Sequence, residues 1–260
     1  MNMRDPAIPI IAPQKPLRAT VGTLHGIGLG PGDPELLTVK AVRLIQAAPV
    51  IAFFAKKGGK GTARTIADAW IIPGTQEMPL HYPLTTEIPF TDPAYIRQVG
   101  AFYEEAAKTI ASKLTAGHDV ALICEGDPMF YGSFMHIFVR LKERFPVSVT
   151  AGVSGMSGCW AAAAQPITWG DDVLTILPGT LPFDQLTRRL AETDAAVIMK
   201  LGLNFPKVRL ALEAAGLTSR ALYVEHGSMP TERILPLTEK TDDEAPYFSL
   251  ILIPGQGRRP

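Results

Sequence analysis

Short apolar runs alternate with segments of helical period along the chain, and this alternation predicts its elements. Residues 21–27 read as a first strand, and residues 50–54 as a second, an apolar run of the kind buried in a sheet. Between them Leu36, Leu37, Val39, Ala41, Leu44 and Ile45 recur at helical spacing. Asp33-Pro34-Glu35 offers an N-cap acid, a proline at the first helical position and an acid in the positive first turn, so the helix is predicted from there to Ala48. A right-handed crossover then makes the two flanking strands parallel neighbours. Residues 73–93 carry five prolines and little periodicity, which predicts a long irregular stretch that shapes a site. A helix is expected over residues 92–116, with Gly117 as its cap.

The chain is organised around Cys124-Glu125-Gly126-Asp127-Pro128-Met129-Phe130-Tyr131-Gly132. The buried run Val120-Ala121-Leu122-Ile123 precedes it, and Phe134, Ile137, Phe138, Leu141 and Phe145 follow at helical spacing. The loop therefore sits at the carboxyl end of a buried strand, where open α/β sheets bind small molecules. A plain Gly-Asp-Pro turn explains the loop by itself equally well. A short strand at 147–150 runs into a second small-residue loop, Ala151-Gly152-Val153-Ser154-Gly155, and a helix at 156–164 almost bare of large side chains. Beyond Pro166, strands are predicted at 173–177, 195–199, 221–224 and 247–253, helices at 183–192 and 205–215, and a short strand at 233–237. The expected fold class is α/β in two domains, 20–151 and 152–260. Residues 1–19, with Pro6, Pro9, Pro13 and Pro16, are expected to be a disordered tail and not a signal peptide.

Composition narrows the function classes. The chain has 260 residues, 47% of them hydrophobic and 19% charged, enough to build a sizeable core. Lysine plus arginine number 25, as do aspartate plus glutamate, so no global field favours nucleic acid or an anionic membrane. Two cysteines, Cys124 and Cys159, read as reduced core thiols, and a cytoplasmic location is expected. No apolar run approaches the roughly 20 residues that span a bilayer. Any anionic ligand must meet a local patch. Lys56-Lys57-Gly58-Gly59-Lys60-Gly61-Thr62-Ala63-Arg64 is one, readable as an ordinary solvated loop or as a clamp on carboxylates or phosphates.

Several familiar sites fail on detail. Gly26, Gly28, Gly30 and Gly32 alternate where a dinucleotide fingerprint needs two residues between its second and third glycines, and Pro31 removes a backbone donor. His25, His81, His118, His136 and His226 show no metal-ligand spacing, so no metal is expected. Ser154 lacks a nucleophile-elbow pattern, and Lys60-Gly61-Thr62 is not a Walker sequence.

Gly28-Leu29-Gly30-Pro31-Gly32-Asp33-Pro34-Glu35-Leu36-Leu37-Thr38 resembles the N-terminal signature of the tetrapyrrole methylases, and Gly126-Asp127-Pro128 through Tyr131-Gly132 resembles their second motif. Gly152-Val153-Ser154, Met199-Lys200-Leu201-Gly202 and Val224-Glu225-His226-Gly227 fall at the family's later positions, so the likeness runs from about Thr23 to Ile253. Cys124 through Ser133 and Tyr247-Phe248-Ser249-Leu250 most resemble the branch acting on precorrins in cobalamin biosynthesis. The resemblance implies a homodimer whose subunits join a mostly parallel N-terminal sheet to a mixed C-terminal one. S-adenosylmethionine would lie in the cleft between them, near Pro31, Gly126, Asp127, Phe130, Tyr131, Ser154, Gly155, Leu201, Gly227, Pro246 and Tyr247. Glycines let main chain approach a ligand closely, and carbonyls and aromatic faces suit a sulfonium cation.

The implied substrate is an acidic tetrapyrrole, expected against Gly30, Lys56, Lys57, Lys60, Arg64 and Glu125. Family members acting on uroporphyrinogen III carry an aspartate assigned as a base just after the second strand. Here that region is Phe53-Phe54-Ala55-Lys56, which points to a later substrate. The resemblance implies that an electron-rich substrate carbon supplies the nucleophile, leaving the protein mainly to align the partners and exclude water. Glu125, Glu225 and His226 are candidate bases, none of them preferred. Another precorrin carbon, a ribosomal RNA ribose or diphthine as acceptor stays open, as does a non-enzymatic carrier.

Overall fold

A computed structural model describes residues 21–84 and 92–257. The predicted tail and the part of the proline-rich stretch at 85–91 lie outside the described residues. The first half runs β1 (Leu24–Gly28), α1 (Val39–Ala47), β2 (Val50–Lys56), α2 (Thr62–Ile66), β3 (Gln76–Tyr82), α3 (Pro93–Thr115), β4 (Val120–Cys124), α4 (Phe134–Leu141) and β5 (Val147–Thr150). The second half continues with α5 (Gly155–Ala162), β6 (Leu174–Pro178), α6 (Phe183–Ala191), β7 (Ala195–Met199), α7 (Phe205–Ala214), β8 (Leu222–Glu225), β9 (Arg233–Pro236) and β10 (Ser249–Ile253).

The first sheet is all parallel, in the order β3-β2-β4-β1-β5. Alternate residues of its central strands enter two separate cores, which is why β2 and β4 read as unbroken apolar runs. Leu24, Val50, Ala52, Val120 and Leu122 pack with α3 and α4, whereas Ile27, Ile51, Ala121 and Ile123 pack with α1 and α2. The second sheet is mixed, in the order β6-β7-β10-β8-β9: β6 and β7 are parallel, and β10 is antiparallel to β7 and β8. Two α/β sheets of these characters match the expected fold class.

Three expectations need correction. β1 and β2 are not neighbours, because β4 inserts between them and pairs with both; a right-handed crossover fits an adjacent strand or one a slot away. The stretch from Pro73 is not irregular throughout, since β3 pairs along its whole length with β2. Pro79 hid it, and an edge strand tolerates a proline because one side needs no ladder donor. The first helix is split. Asp33 Oδ1 accepts from Glu35 N at 2.8 Å, capping only a 3-10 turn at Pro34–Leu36. α1 starts afresh after Thr38, whose Oγ1 accepts from Ala41 N at 3.1 Å.

The halves meet through α5. Its outer face packs with the second sheet through Cys159, Met156 and Trp160. Its inner face must be small, because a Cβ on Gly158 would lie 2.5 Å from the Pro31 side chain. Close approach is more severe at the carboxyl edge of the first sheet, where a Cβ on Gly152 would lie 2.1 Å from the Gly126 carbonyl oxygen and 2.9 Å from Gly28 main chain. Gly152→Ala should therefore lower unfolding stability by about 2 kcal/mol or more. Gly155→Ala, whose added carbon meets nothing within 4 Å, should stay within about 0.5 kcal/mol of the parent. Urea unfolding of the two variants checks both.

Candidate active site

Three loops leave the carboxyl edge of the first sheet side by side, after β1, β4 and β5, and their main chains are bonded directly to one another. Leu29 N donates to Cys124 O at 2.9 Å, Gly126 N to Gly30 O at 2.7 Å and Gly30 N to Gly126 O at 3.3 Å. Asp127 adds the third loop: its Oδ1 accepts from Met129 N at 2.8 Å and its Oδ2 from Gly152 N at 3.1 Å. Ser154 Oγ accepts from Ser157 N at 3.2 Å and caps α5. Gly126 has φ +63°, and a Cβ there would meet only Gly155 N, at 3.6 Å. Gly126 and Gly155 thus border open space with bare main chain, the cradle that a flexible polar ligand needs.

The second sheet faces this cradle with turns that cost backbone strain. Of the five non-glycine residues with positive φ among the described residues, three lie in these turns, Lys200, His226 and Ser228, and a fourth, Tyr131, lies in the first half's loop after β4. Such residues are uncommon and concentrate at ligand sites. Lys200, at the carboxyl end of β7, sets its ammonium 4.5 Å from the Tyr131 ring centroid, bridging the halves. Phe130 packs edge-on against Tyr131. Leu201 is fully buried among second-half core side chains, so only its main chain can reach a ligand. Gly227 is held against Cys159, and the Pro246 carbonyl accepts from Ser249 Oγ at 2.6 Å.

Tyr247 is 80% exposed. Its hydroxyl is nevertheless held above the usual phenol range, first by desolvation and then by Glu125, Tyr103 and Tyr95. The first half also carries an aromatic wall that the sequence pattern did not reveal. Phe54 stacks on Tyr82 at 5.4 Å, Tyr82 lies 4.8 Å from Phe102, and Tyr103 stacks on His136 at 4.1 Å. The Tyr82 and Tyr103 hydroxyls both donate to Ser133 Oγ. Only the β3 alternation would have placed Tyr82 there, and Pro79 obscured it.

The basic loop divides. Lys60 Nζ lies 2.9 Å from Asp68, and Arg64 bonds Asp68 at 2.6 Å and Glu77 at 2.7 and 2.8 Å. The Arg64 side chain is only 12% exposed. Arg64 is thus committed to the fold, while Lys56 and Lys57 are exposed. Glu125, expected against the substrate, accepts from Ala63 N at 2.9 Å, and burial raises its carboxyl above the usual range. Glu225 is likewise engaged, accepting from the Tyr223 hydroxyl at 2.6 Å. Cys124 and Cys159 are free and buried, with desolvation first among the causes that raise their thiols.

Comparisons with known proteins agree with this geometry. The model of the tetrapyrrole (corrin/porphyrin) methylases matches residues 23–241. The precorrin-2 C(20)-methyltransferase of a Sinorhizobium species is 54% identical over 240 residues, covering 92% of this chain and 98% of that protein. The cobalt-precorrin-2 C(20)-methyltransferase of Salmonella typhimurium is 26% identical over 235 residues, 89% of this chain and 96% of its own. A likeness of fold extends to the uroporphyrin-III C-methyltransferase of Thermus thermophilus solved with S-adenosyl homocysteine. Its TM-score is 0.63 at 23% identity, covering 90% of this chain and 92% of that one.

The ion pairs beside the basic loop carry a pH signature. Arg64 holds the Glu77 carboxyl below its ordinary range. A carboxylate depressed in the folded state stabilises above its unfolded pKa, and that stability is lost as pH falls through the folded value. Glu77→Gln should flatten the acid side of the stability profile, with little change in its slope near neutrality. Urea midpoints between pH 3 and 7 measure it.

Proposed function

The chain belongs to the tetrapyrrole methylases, and on that footing we propose that it transfers the methyl group of S-adenosylmethionine to C20 of precorrin-2 in cobalamin biosynthesis. The observation that carries this reading is the main-chain cradle of the β1, β4 and β5 loops, closed by strained turns of the second sheet. A relative matched over 98% of its length supplies the acceptor. Identity is 54% to the relative named for precorrin-2 and 26% to the one named for cobalt-precorrin-2, which favours the metal-free macrocycle.

The residues fit the cofactor. Gly126 and Gly155 present bare main chain, and the Tyr131 face attracts a cation, as its contact with Lys200 demonstrates. Main chain at Pro31, Leu201 and Gly227, with Phe130, Ser154, Pro246 and Tyr247, completes the proposed surround. Asp127 serves it by fixing the loops, since both its oxygens are engaged there. When bound, S-adenosylmethionine supplies an electrophilic methyl. The substrate carbon is the nucleophile, so the chain needs no activated serine or cysteine, and its buried thiols are unsuited to that work. What remains for the protein is alignment and exclusion of water. The Tyr82–Phe102–Tyr103 wall and Tyr247 suit a flat macrocycle, and Lys56 and Lys57 suit its carboxylates. Domains of 20–151 and 152–260, pairing with a second copy and a cytoplasmic setting complete the proposal. Among the described residues no helix is long and apolar enough to cross a membrane.

Two outcomes follow. Incubation with precorrin-2 and S-adenosylmethionine labelled in its methyl should place the label at C20 by NMR; a label on another carbon would move the chain to a different step. Neutralising Lys56 and Lys57 together to glutamine should raise the substrate KM about tenfold, on the order of 1.4 kcal/mol, and change S-adenosylhomocysteine affinity less than twofold. An unchanged KM would remove the lysines from substrate binding.

A further inference from the structure

Glu125 is used by neither the cradle nor the proposed substrate wall, yet it sits half-buried directly before the cradle's Gly126. It continues the side-chain alternation of β4: Ala121 and Ile123 enter the core shared with α1 and α2, and Glu125 emerges on that same face at the strand's carboxyl end. There its Oε1 accepts from Ala63 N at 2.9 Å. α2 has no cap of its own, because its N-cap residue is Gly61. A carboxylate 62 residues away in the chain therefore supplies the acceptor that serine or aspartate usually supplies locally.

Both ends of this bond are tied to functional loops. On one side Glu125 directly precedes Gly126, which is paired with Gly30, and Asp127, which holds Gly152. On the other side α2 is a rigid piece. Ala63 and Ile66 are buried, and Arg64 is fixed to Asp68 and Glu77. Its entry is equally constrained: a Cβ on Gly61 would lie 2.7 Å from Phe54 O, so the chain carrying Lys56 and Lys57 turns tightly over the end of β2. Gly59 N donates to Lys56 O at 2.9 Å within that turn.

We propose that Glu125 is a positioning residue, a strut that passes the ordering of the cofactor loop to α2 and the basic loop, so that cofactor binding presents Lys56 and Lys57 to the substrate. The inference rests on the cofactor reading above. Ordering at one end of a bonded unit restricts the other end, and the coupling is reciprocal for the two ligands.

Hydrogen exchange on the full-length chain, with and without saturating S-adenosylhomocysteine, tests it. In the parent, exchange should slow at least about threefold both in the loops at 28–32 and 126–132 and in the segment 57–66. Glu125→Gln keeps the acceptor oxygen and should keep both effects. Glu125→Ala should keep protection of the glycine loops and lose that of 57–66. The precorrin-2 KM should rise about fivefold in the alanine variant only. Protection of the glycine loops without any change at 57–66 in the parent overturns the strut while sparing the cofactor site, and needs no variant to fold. The strut is equally overturned if alanine retains the coupling or glutamine loses it. Failure of S-adenosylhomocysteine to bind the parent at all would instead overturn the cofactor reading, and the strut with it.

Discussion

The structure depends on how closely three main chains approach one another at one edge of the parallel sheet. Gly28, Gly126 and Gly152 meet with no room for a side chain at Gly28 or Gly152, and the Gly30–Gly126 bridge and the Asp127 carboxylate fasten the three loops together. Parallel strands deliver loops to one edge, but only glycine lets those loops share hydrogen bonds instead of standing apart. Bare main chain is then left facing the second sheet. Tight packing thus creates the binding surface, and the site exists because the sheet's edge is closed.

The second half answers this surface with strain. Lys200, His226 and Ser228 hold left-handed backbone, and on the first half Tyr131 does so too. Residues in such conformations persist where surrounding packing over-determines them. Here the packing is visible: Leu201 is anchored in the second core, and Gly227 rests on Cys159 in α5. α5 in turn packs against Pro31 through Gly158. The two halves are therefore tied through the same glycine-bearing turns that border the cradle, and any ligand there touches the joint between them.

Much of this was legible in the chain. Strands such as β2, β4 and β7 declare themselves as unbroken apolar runs, and nine of the ten strands among the described residues stood out, with α3, α6 and α7 close to their observed bounds. What stayed hidden depended on partners far away in sequence. Nothing local says that β4 will part β1 from β2, or that a proline-bearing segment will pair as the edge strand β3. The capping signal at Asp33 was real, but it served a 3-10 turn, with Thr38 taking the helix. At the site, glycine-rich motifs marked the loops because close approach demands that residue type. Charge was only partly legible, since Arg64 and Lys60 read as free basic residues in the sequence, whereas in the fold they are paired with Glu77 and Asp68. Tyr82, Phe102 and Tyr103 form a wall only in three dimensions, across β3 and α3.

The central claim is that the glycine cradle grips an adenosyl cofactor. A crystal structure of this chain grown with S-adenosylhomocysteine tests it most directly. The account predicts the ligand in contact with the main chain of Gly126 and Gly155 on one side and of Leu201 and Gly227 on the other. Ligand bound elsewhere with that space left to solvent would contradict it.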